Sequence, residues 1–212
     1  MTSNEKIAAV LLAAGRSRRM GAFKPLLAFG GVSVVEACVE GLSAAGVEEI
    51  VVVVGQHGAA EVRAALAHVP TLRFAVNEDA GSEMGTSLAR GVEAISEAPG
   101  AMLVALVDHP AVPSSEIRRL IEARRVTGAR LVVPEWQGRG GHPVLVDLAF
   151  RQELLSLSPE RGLRALFDAH REEVLRITAN SSYVARDMDT WEEYVALHTE
   201  VFGTSPSSGR RS

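Results

Sequence analysis

The chain has 212 residues, 47% hydrophobic and 23% charged, with a formal net charge of -4. That profile fits one globular domain with a sizeable core, and it excludes a bilayer span, since no apolar run approaches the roughly 20 residues required. The acidic balance argues against nonspecific nucleic-acid binding while leaving local arginine clusters able to hold phosphates.

The first residues, MTSNEK, carry no signal-like pattern, so the cytoplasm is the expected location. Ile7 to Leu12 then reads as a buried strand that breaks into small residues, a glycine and a run of cations: IAAVLLAAGRSRRMGAFK, Ile7 to Lys24. Ala13, Ala14 and Gly15 would let a ligand approach the backbone, where successive amides form an anion-binding concavity. Arg16, Arg18, Arg19 and Lys24 add the positive charge that a polyphosphate needs. Neither GKS nor GKT follows the glycine, and GxGxxG is absent, so this is neither a Walker loop nor a common dinucleotide loop.

Val32 to Ala45 has helical spacing and ends at Gly46, a C-terminal cap. Cys38 lies within it and, as the one cysteine, reads as a buried structural thiol. Glu49 to Val54 is a β-branched run typical of a strand covered on both faces. His57 to His68 is expected to be helical, Leu72 to Val76 a strand, Met84 to Glu97 a helix and Ala101 to Val107 a strand. Ser114 to Thr127 follows as a helix capped by Ser114 or Ser115, then Leu131 to Val133 as a strand.

The alternation predicts a doubly wound α/β fold, a mostly parallel sheet with helices on both faces. In such sheets ligands gather beyond the carboxyl ends of the strands, where the Ala13 loop, Asn77 and Asp108 would meet. Further on, His142 to Asp147 suggests a short strand, Leu148 to Leu157 and Leu163 to His170 helices, Val174 to Ile177 a strand and Trp191 to Val201 a closing helix. Residues 1–202 are expected to form one domain and 203–212 a disordered tail.

Asp108 ends an apolar strand, VALVDHP, where a charge is costly unless it faces a ligand or cation. A triphosphate is usually handled as its magnesium complex, which takes one or two carboxylates, so Mg2+ is the expected cofactor. Asp189, in ARDMDTWEEY, is a candidate second ligand; it could equally cap the closing helix. Asp187 is assigned a structural role. Asn77 to Gly91, NEDAGSEMGTSLARG, could present donors to a base or ribose at a helix N-terminus, with a plain capping loop as the competing reading. GRGGHPVLV, Gly138 to Val146, contains Arg139 and His142 beside a turn.

LAAGRSRRMG followed by Lys24 resembles the signature loop of nucleotidyltransferases that activate a small phosphorylated compound with a nucleoside triphosphate, and within them the MobA/MocA-like molybdenum cofactor cytidylyltransferases. The resemblance continues through DHP, RGGHPV and DMDT. It implies a Rossmann-like fold of the GT-A type in which Leu12, Ala13, Ala14, Gly15, Arg16, Ser17 and Lys24 wrap the triphosphate. Arg19, Lys24 and Asp108 would then serve the transfer itself. By the same resemblance Asn77, Gly85, Thr86 and Ser87 lie around the nucleoside, Arg139 and His142 hold the acceptor, and Asp108 and Asp189 join at the metal.

The implied reaction moves a nucleotide, CMP from CTP, onto molybdopterin and releases pyrophosphate; a molybdoenzyme or chaperone would receive the product. Ala14, standing where guanylyltransferase relatives carry a second glycine, points to the smaller pyrimidine. Sugar-phosphate and methylerythritol-phosphate nucleotidyltransferases also carry LAAG loops. Other proteins resembling the family are described as NAD(P)H-dependent nicotine blue reductases, so an oxidoreductase is the alternative from another class, and a nucleotide-binding regulatory module is a third. His109 departs from the family pattern, which more often has an amide or thioether there; an imidazole can bind a metal, though an adjacent histidine and aspartate need not point to one ion, and a supporting residue beside the site is the competing reading.

Overall fold

The computed structural model describes residues 5–15, 20–79 and 84–206. The first strand, β1 (Ile7–Ala13), is buried along its whole length because each of its faces meets a separate core. Ile7, Ala9, Leu11 and Ala13 enter one apolar cluster, and Ala8, Val10 and Leu12 enter the other. Period-2 alternation makes this division automatic in an extended chain.

A two-stranded hairpin, β2 (Ala28–Phe29) and β3 (Val32–Ser33), precedes α1 (Val34–Ala44). Ser33 starts α1 through a capping box in which Glu36 reaches back to the Ser33 amide. The chain continues as β4 (Glu49–Gly55), α2 (Ala59–Ala65), β5 (Leu72–Asn77), α3 (Met84–Ala94), β6 (Ala101–Leu106), α4 (Ser114–Thr127) and β7 (Leu131–Trp136). It closes with β8 (Arg139–Gly140), β9 (Val144–Asp147), α5 (Arg151–Leu155), α6 (Leu163–Ala169), β10 (Val174–Thr178) and α7 (Trp191–Phe202).

Among the described residues the main sheet has eight strands in the order β10-β7-β9-β6-β1-β4-β5, with β8 beside β7. β1 pairs parallel with both β4 and β6, and β5 continues parallel to β4. The exceptions are β9, antiparallel to both β6 and β7, and β8, antiparallel to β7. Their origin is local. Gln137 and Gly138 have φ of 50° and 78°, so both central residues of the β7–β8 turn are left-handed, the geometry of a tight hairpin that reverses the chain.

The doubly wound, mostly parallel architecture therefore agrees with the sequence pattern. On one face α1, α4 and α7 contribute Val35, Leu120 and Leu197; on the other α3, α5 and α6 contribute Val92, Leu154 and Leu166. Gly91 lets α3 lie directly on the sheet, since a Cβ there would overlap the side chains of Val10 and Val53.

Several boundaries differ from the sequence reading by a few residues, α2 being Ala59–Ala65 and α3 ending at Ala94, and three of the differences have a local cause. Pro113, rather than a serine, occupies the N-cap of α4, and no side chain caps that end. The expected Leu148–Leu157 helix is a 3-10 turn, Leu148–Phe150, followed by the single short turn of α5, because the Asp147 carboxylate accepts from the Ala149 amide at 2.7 Å and winds the start tightly. The start of the first predicted helix, Val32, belongs instead to β3. At the C-terminus Gly203 caps α7 in a left-handed conformation, and the Thr204 carbonyl accepts from His198 Nδ1 at 2.7 Å.

The parallel register brings Ala13 opposite Val54, Gly55 opposite Asn77 and Leu12 opposite Leu106. The first loop, Asn77 and the residues after β6 consequently emerge at one edge of the sheet. Among the described residues no helix is long and apolar enough to cross a membrane.

Candidate active site

Lys24 is fixed in position by its local sequence. Pro25 stands in the first turn of a short 3-10 element, Lys24–Leu26, where its missing N–H costs nothing, and the lysine residue is only 7% exposed. Its ammonium lies 3.0 Å from Asp189 Oδ1 and 3.9 Å from Asp108 Oδ2. The two acids come from distant parts of the chain: Asp108 follows β6, and Asp189 precedes α7. The fold thus brings together three residues that the sequence reading had singled out.

Asp189 is not the helix cap. Thr190 holds that place, its hydroxyl accepting from the Glu193 amide, and Glu193 closes the capping box. Glu193 Oε2 also accepts from the Asp189 amide at 2.9 Å. The helix start thus fixes the Asp189 backbone without using its carboxylate, which is directed to Lys24. The T-x-x-E spacing that shows this, Thr190 to Glu193, was legible in the sequence.

Asp108 is held differently. Its Oδ1 is buried with no hydrogen-bond partner. Burial is the main cause that pushes its carboxyl above the ordinary value; His109 and Lys24 pull it back, while Asp189 and Asp187 raise it further. An orphaned buried carboxylate oxygen is expensive and marks a place where a cation or a donor from a ligand would be favourable.

His109 and His142 lie beside it, their ring centroids 5.5 Å apart. His109 Nε2 is 3.6 Å from Asp108 Oδ1, and its Nδ1 is 3.4 Å from the Tyr183 carbonyl. His142 Nδ1 is 3.4 Å from the Val104 carbonyl, and its backbone amide donates to Val184 at 2.7 Å. Burial, reinforced by His109, pushes the His142 imidazole down to about 4, so at neutral pH this ring carries no charge. A charge contact from His142 to an acceptor phosphate therefore does not suit its surroundings; a neutral hydrogen bond does. Arg139 is exposed in β8.

At the first loop, Leu12 and Ala13 are buried in β1, Ala14 is half-buried and Gly15 is exposed, with open space where a Cβ would stand. The Ala14 carbonyl packs against Gly55, whose hypothetical Cβ would lie 3.0 Å from it. Arg16, Ser17, Arg18 and Arg19 lie outside the described residues.

Across the edge, Asn77 is buried and its side chain turns inward: Nδ2 donates to Ser87 Oγ at 2.8 Å, and Oδ1 accepts from the Asp79 amide at 3.1 Å. This bond ties the end of β5 to the start of α3 at the edge where the resemblance places the nucleoside. Thr86 is half-buried, and Gly85 lies against the backbone of Ser158 and Pro159, with a hypothetical Cβ 3.0 Å from Pro159 Cα. The segment 158–162, SPERG, thus lies against the beginning of α3, a contact without a local sequence signal. Behind His109, the Cys38 thiol is buried and pushed up, as expected of an inert structural cysteine.

The MobA-like NTP transferase domain family matches residues 9–174, more than half of the chain and inclusive of Lys24 and Asp108. The chain belongs to that family. A nucleotidyl transferase from Methanothermobacter thermautotroptrophicus superposes with a TM-score of 0.81 at 26% identity, covering 96% of this chain and 100% of that one. Rv0371c from Mycobacterium tuberculosis H37Rv, in a complex with manganese, superposes with a TM-score of 0.78 at 26% identity over 92% of this chain and 98% of its own.

In sequence, the chain is 30% identical over 200 residues to the nicotine blue oxidoreductase of Paenarthrobacter nicotinovorans, covering 90% of this chain and 96% of that protein. It is 31% identical over 192 residues to a probable molybdenum cofactor guanylyltransferase of Mycobacterium marinum, covering 87% and 89% respectively. The family, the fold and the arrangement around Lys24 together support a nucleotidyltransferase enzyme.

Proposed function

We propose that this enzyme transfers a nucleoside monophosphate from a nucleoside triphosphate to the phosphate of a small acceptor, with CTP as donor and molybdopterin as acceptor. The observation that carries the reading is the meeting of Lys24, Asp108 and Asp189 at the carboxyl edge of the sheet. The acceptor phosphate is already an anion, so no protein nucleophile is needed; it attacks the α-phosphorus, and pyrophosphate leaves.

Lys24 approaches the α-phosphate, exchanging a carboxylate partner for phosphate oxygens as charge grows there. The amides following β1, with Arg16, Ser17 and Arg19, hold the leaving pyrophosphate. Asp108 and Asp189 fit a divalent ion, Mg2+ in the simplest case, because Asp108 offers a buried oxygen with no hydrogen-bond partner among the described residues. Such an ion, when bound, neutralises phosphate charge during the transfer. Gly85 and Thr86 border the nucleoside, and Arg139 with neutral His142 borders the acceptor. The product would pass to a molybdoenzyme or its chaperone.

The choice of CTP rests on Ala14, whose methyl group narrows the base site relative to a glycine. The guanylyltransferase relative makes GTP the competing donor. Incubation with each nucleoside triphosphate, molybdopterin and Mg2+, read by pyrophosphate release, is expected to show acceptor-dependent turnover strongest with CTP. Turnover only with GTP would overturn the nucleotide assignment, and release independent of acceptor would overturn the acceptor. A second reading, reduction by NAD(P)H, is favoured by the extent of the match to the nicotine blue oxidoreductase; loss of NADPH absorbance with a quinone-like dye would support it.

A further inference from the structure

The neighbourhood of Asp108 holds a feature that phosphate binding does not require. His109 Nδ1 faces the Tyr183 carbonyl at 3.4 Å. A carbonyl oxygen can only accept, so Nδ1 carries the hydrogen of that contact, and Nε2 is the ring nitrogen left to face Asp108. Nε2 in turn points at Asp108 Oδ1 across 3.6 Å, the same oxygen that is buried without a hydrogen-bond partner. A cation placed between this ring nitrogen and this carboxylate oxygen would be held by both atoms. An imidazole whose other nitrogen donates to a backbone carbonyl is also the usual arrangement of a histidine that ligates a metal.

We propose that His109 Nε2 and Asp108 Oδ1 form a mixed nitrogen and oxygen donor pair that makes this site select a first-row transition dication over Mg2+. The inference rests on the reading that Asp108 helps hold the ion of the transfer reaction, and it concerns which ion that is. Magnesium favours oxygen ligands and binds imidazole poorly, whereas Mn2+, Co2+ and Zn2+ accept it with affinity rising in that general direction. His109 is well placed to be rigid: its side chain is 9% exposed and its ring is packed beside His142. Among the described residues no group of three or more His, Cys, Asp or Glu side chains converges on one point, so water and phosphate oxygens would complete the coordination.

The test is to titrate the full-length protein with MnCl2, alone and with inorganic pyrophosphate, and to record pulsed electron paramagnetic resonance of the bound ion. Wild-type protein is expected to show nitrogen modulation that changes frequency when histidine is labelled with 15N. In His109→Gln that modulation disappears and Mn2+ binding weakens about tenfold or more. Mg2+ affinity, measured by competition, stays within about twofold, so the Mn2+ to Mg2+ preference collapses; the labelled wild-type spectrum gives an answer even if the variant folds poorly. Saturable Mn2+ binding without nitrogen modulation, or modulation that persists in His109→Gln, would overturn the role of His109 while leaving the metal reading intact. No saturable binding with or without pyrophosphate would overturn both.

Discussion

The Lys24 ammonium and the Asp189 carboxylate, 165 positions apart in sequence, meet at 3.0 Å at the carboxyl edge of the sheet. Asp108 stands 3.9 Å from the same nitrogen. The lysine thus holds together the two acids that the proposed transfer needs on one side of a triphosphate. Replacing it with methionine keeps the bulk and removes the charge. Lys24→Met is expected to lower turnover on the order of 100- to 1000-fold, as removal of one transition-state donor commonly does. Steady-state pyrophosphate release, with circular dichroism to verify folding, measures the effect.

Asp108 is maintained at a cost in stability. Because its folded carboxyl titrates above the ordinary value of 3.8, the native state keeps a proton that the unfolded chain has already released. Its stabilising contribution is therefore complete below that ordinary value and is lost as pH rises through the higher folded value. Asp108→Asn should end that loss. At neutral pH and without added metal the variant is expected to be more stable by about 1 kcal/mol, or about 2–4 °C in Tm, while turnover is abolished. Thermal melts in chelator check the first part; a lower Tm for the variant would show that the carboxylate is better satisfied than its surroundings imply.

His142 has the opposite sign. Its folded imidazole, pushed down to about 4 from 6.5 by burial and by His109, resists protonation that the unfolded chain accepts. The stability this contributes is present above 6.5 and is lost as pH falls toward 4, on the order of 3 kcal/mol in all. His142→Gln is expected to flatten the pH dependence of unfolding within that window and leave the region above it unchanged. Urea unfolding at a series of pH values gives the slope directly, and an unaltered slope would place the acid sensitivity elsewhere.

Gly85 tests whether the SPERG segment shapes the nucleotide site. A methyl group there would press on Pro159 Cα at 3.0 Å and on the carbonyls of Pro159 and Ser158 at 3.1 and 3.2 Å, all backbone atoms with little room to yield. Gly85→Ala is expected to displace the segment and destabilise the fold by about 1–3 kcal/mol. The apparent KM for the nucleotide should rise several-fold with a smaller change in kcat. Equal KM values would separate this contact from nucleotide binding.

Much of this arrangement was legible before any coordinates, for physical reasons that differ by element. β1 and β4 are apolar on both faces because both are covered, and such runs are unmistakable in sequence. Asp108 stood out because it ends an apolar strand, and Lys24 because it belongs to the run of cations that follows β1. The antiparallel β9 was not legible, since its direction depends on a turn at Gln137 and Gly138 rather than on its own residues. The bond between Asn77 and Ser87 was not legible, since polar residues look alike in sequence whether they brace a helix or touch a substrate. His109 stood out as a departure from the family pattern, but its setting was not legible, because it is made by the Tyr183 carbonyl 74 residues away.

The central claim is that Lys24, Asp108 and Asp189 act on a triphosphate. Its most direct test follows the α-phosphorus of CTP, radiolabelled there, in the presence of molybdopterin, a divalent metal and either wild-type enzyme or Asp108→Asn. The account predicts that wild-type enzyme moves the label onto the acceptor with one pyrophosphate released per transfer, and that the variant leaves it on CTP. Wild-type enzyme that transfers no label from CTP or GTP but oxidises NADPH at a rate unaffected by Asp108→Asn would contradict it.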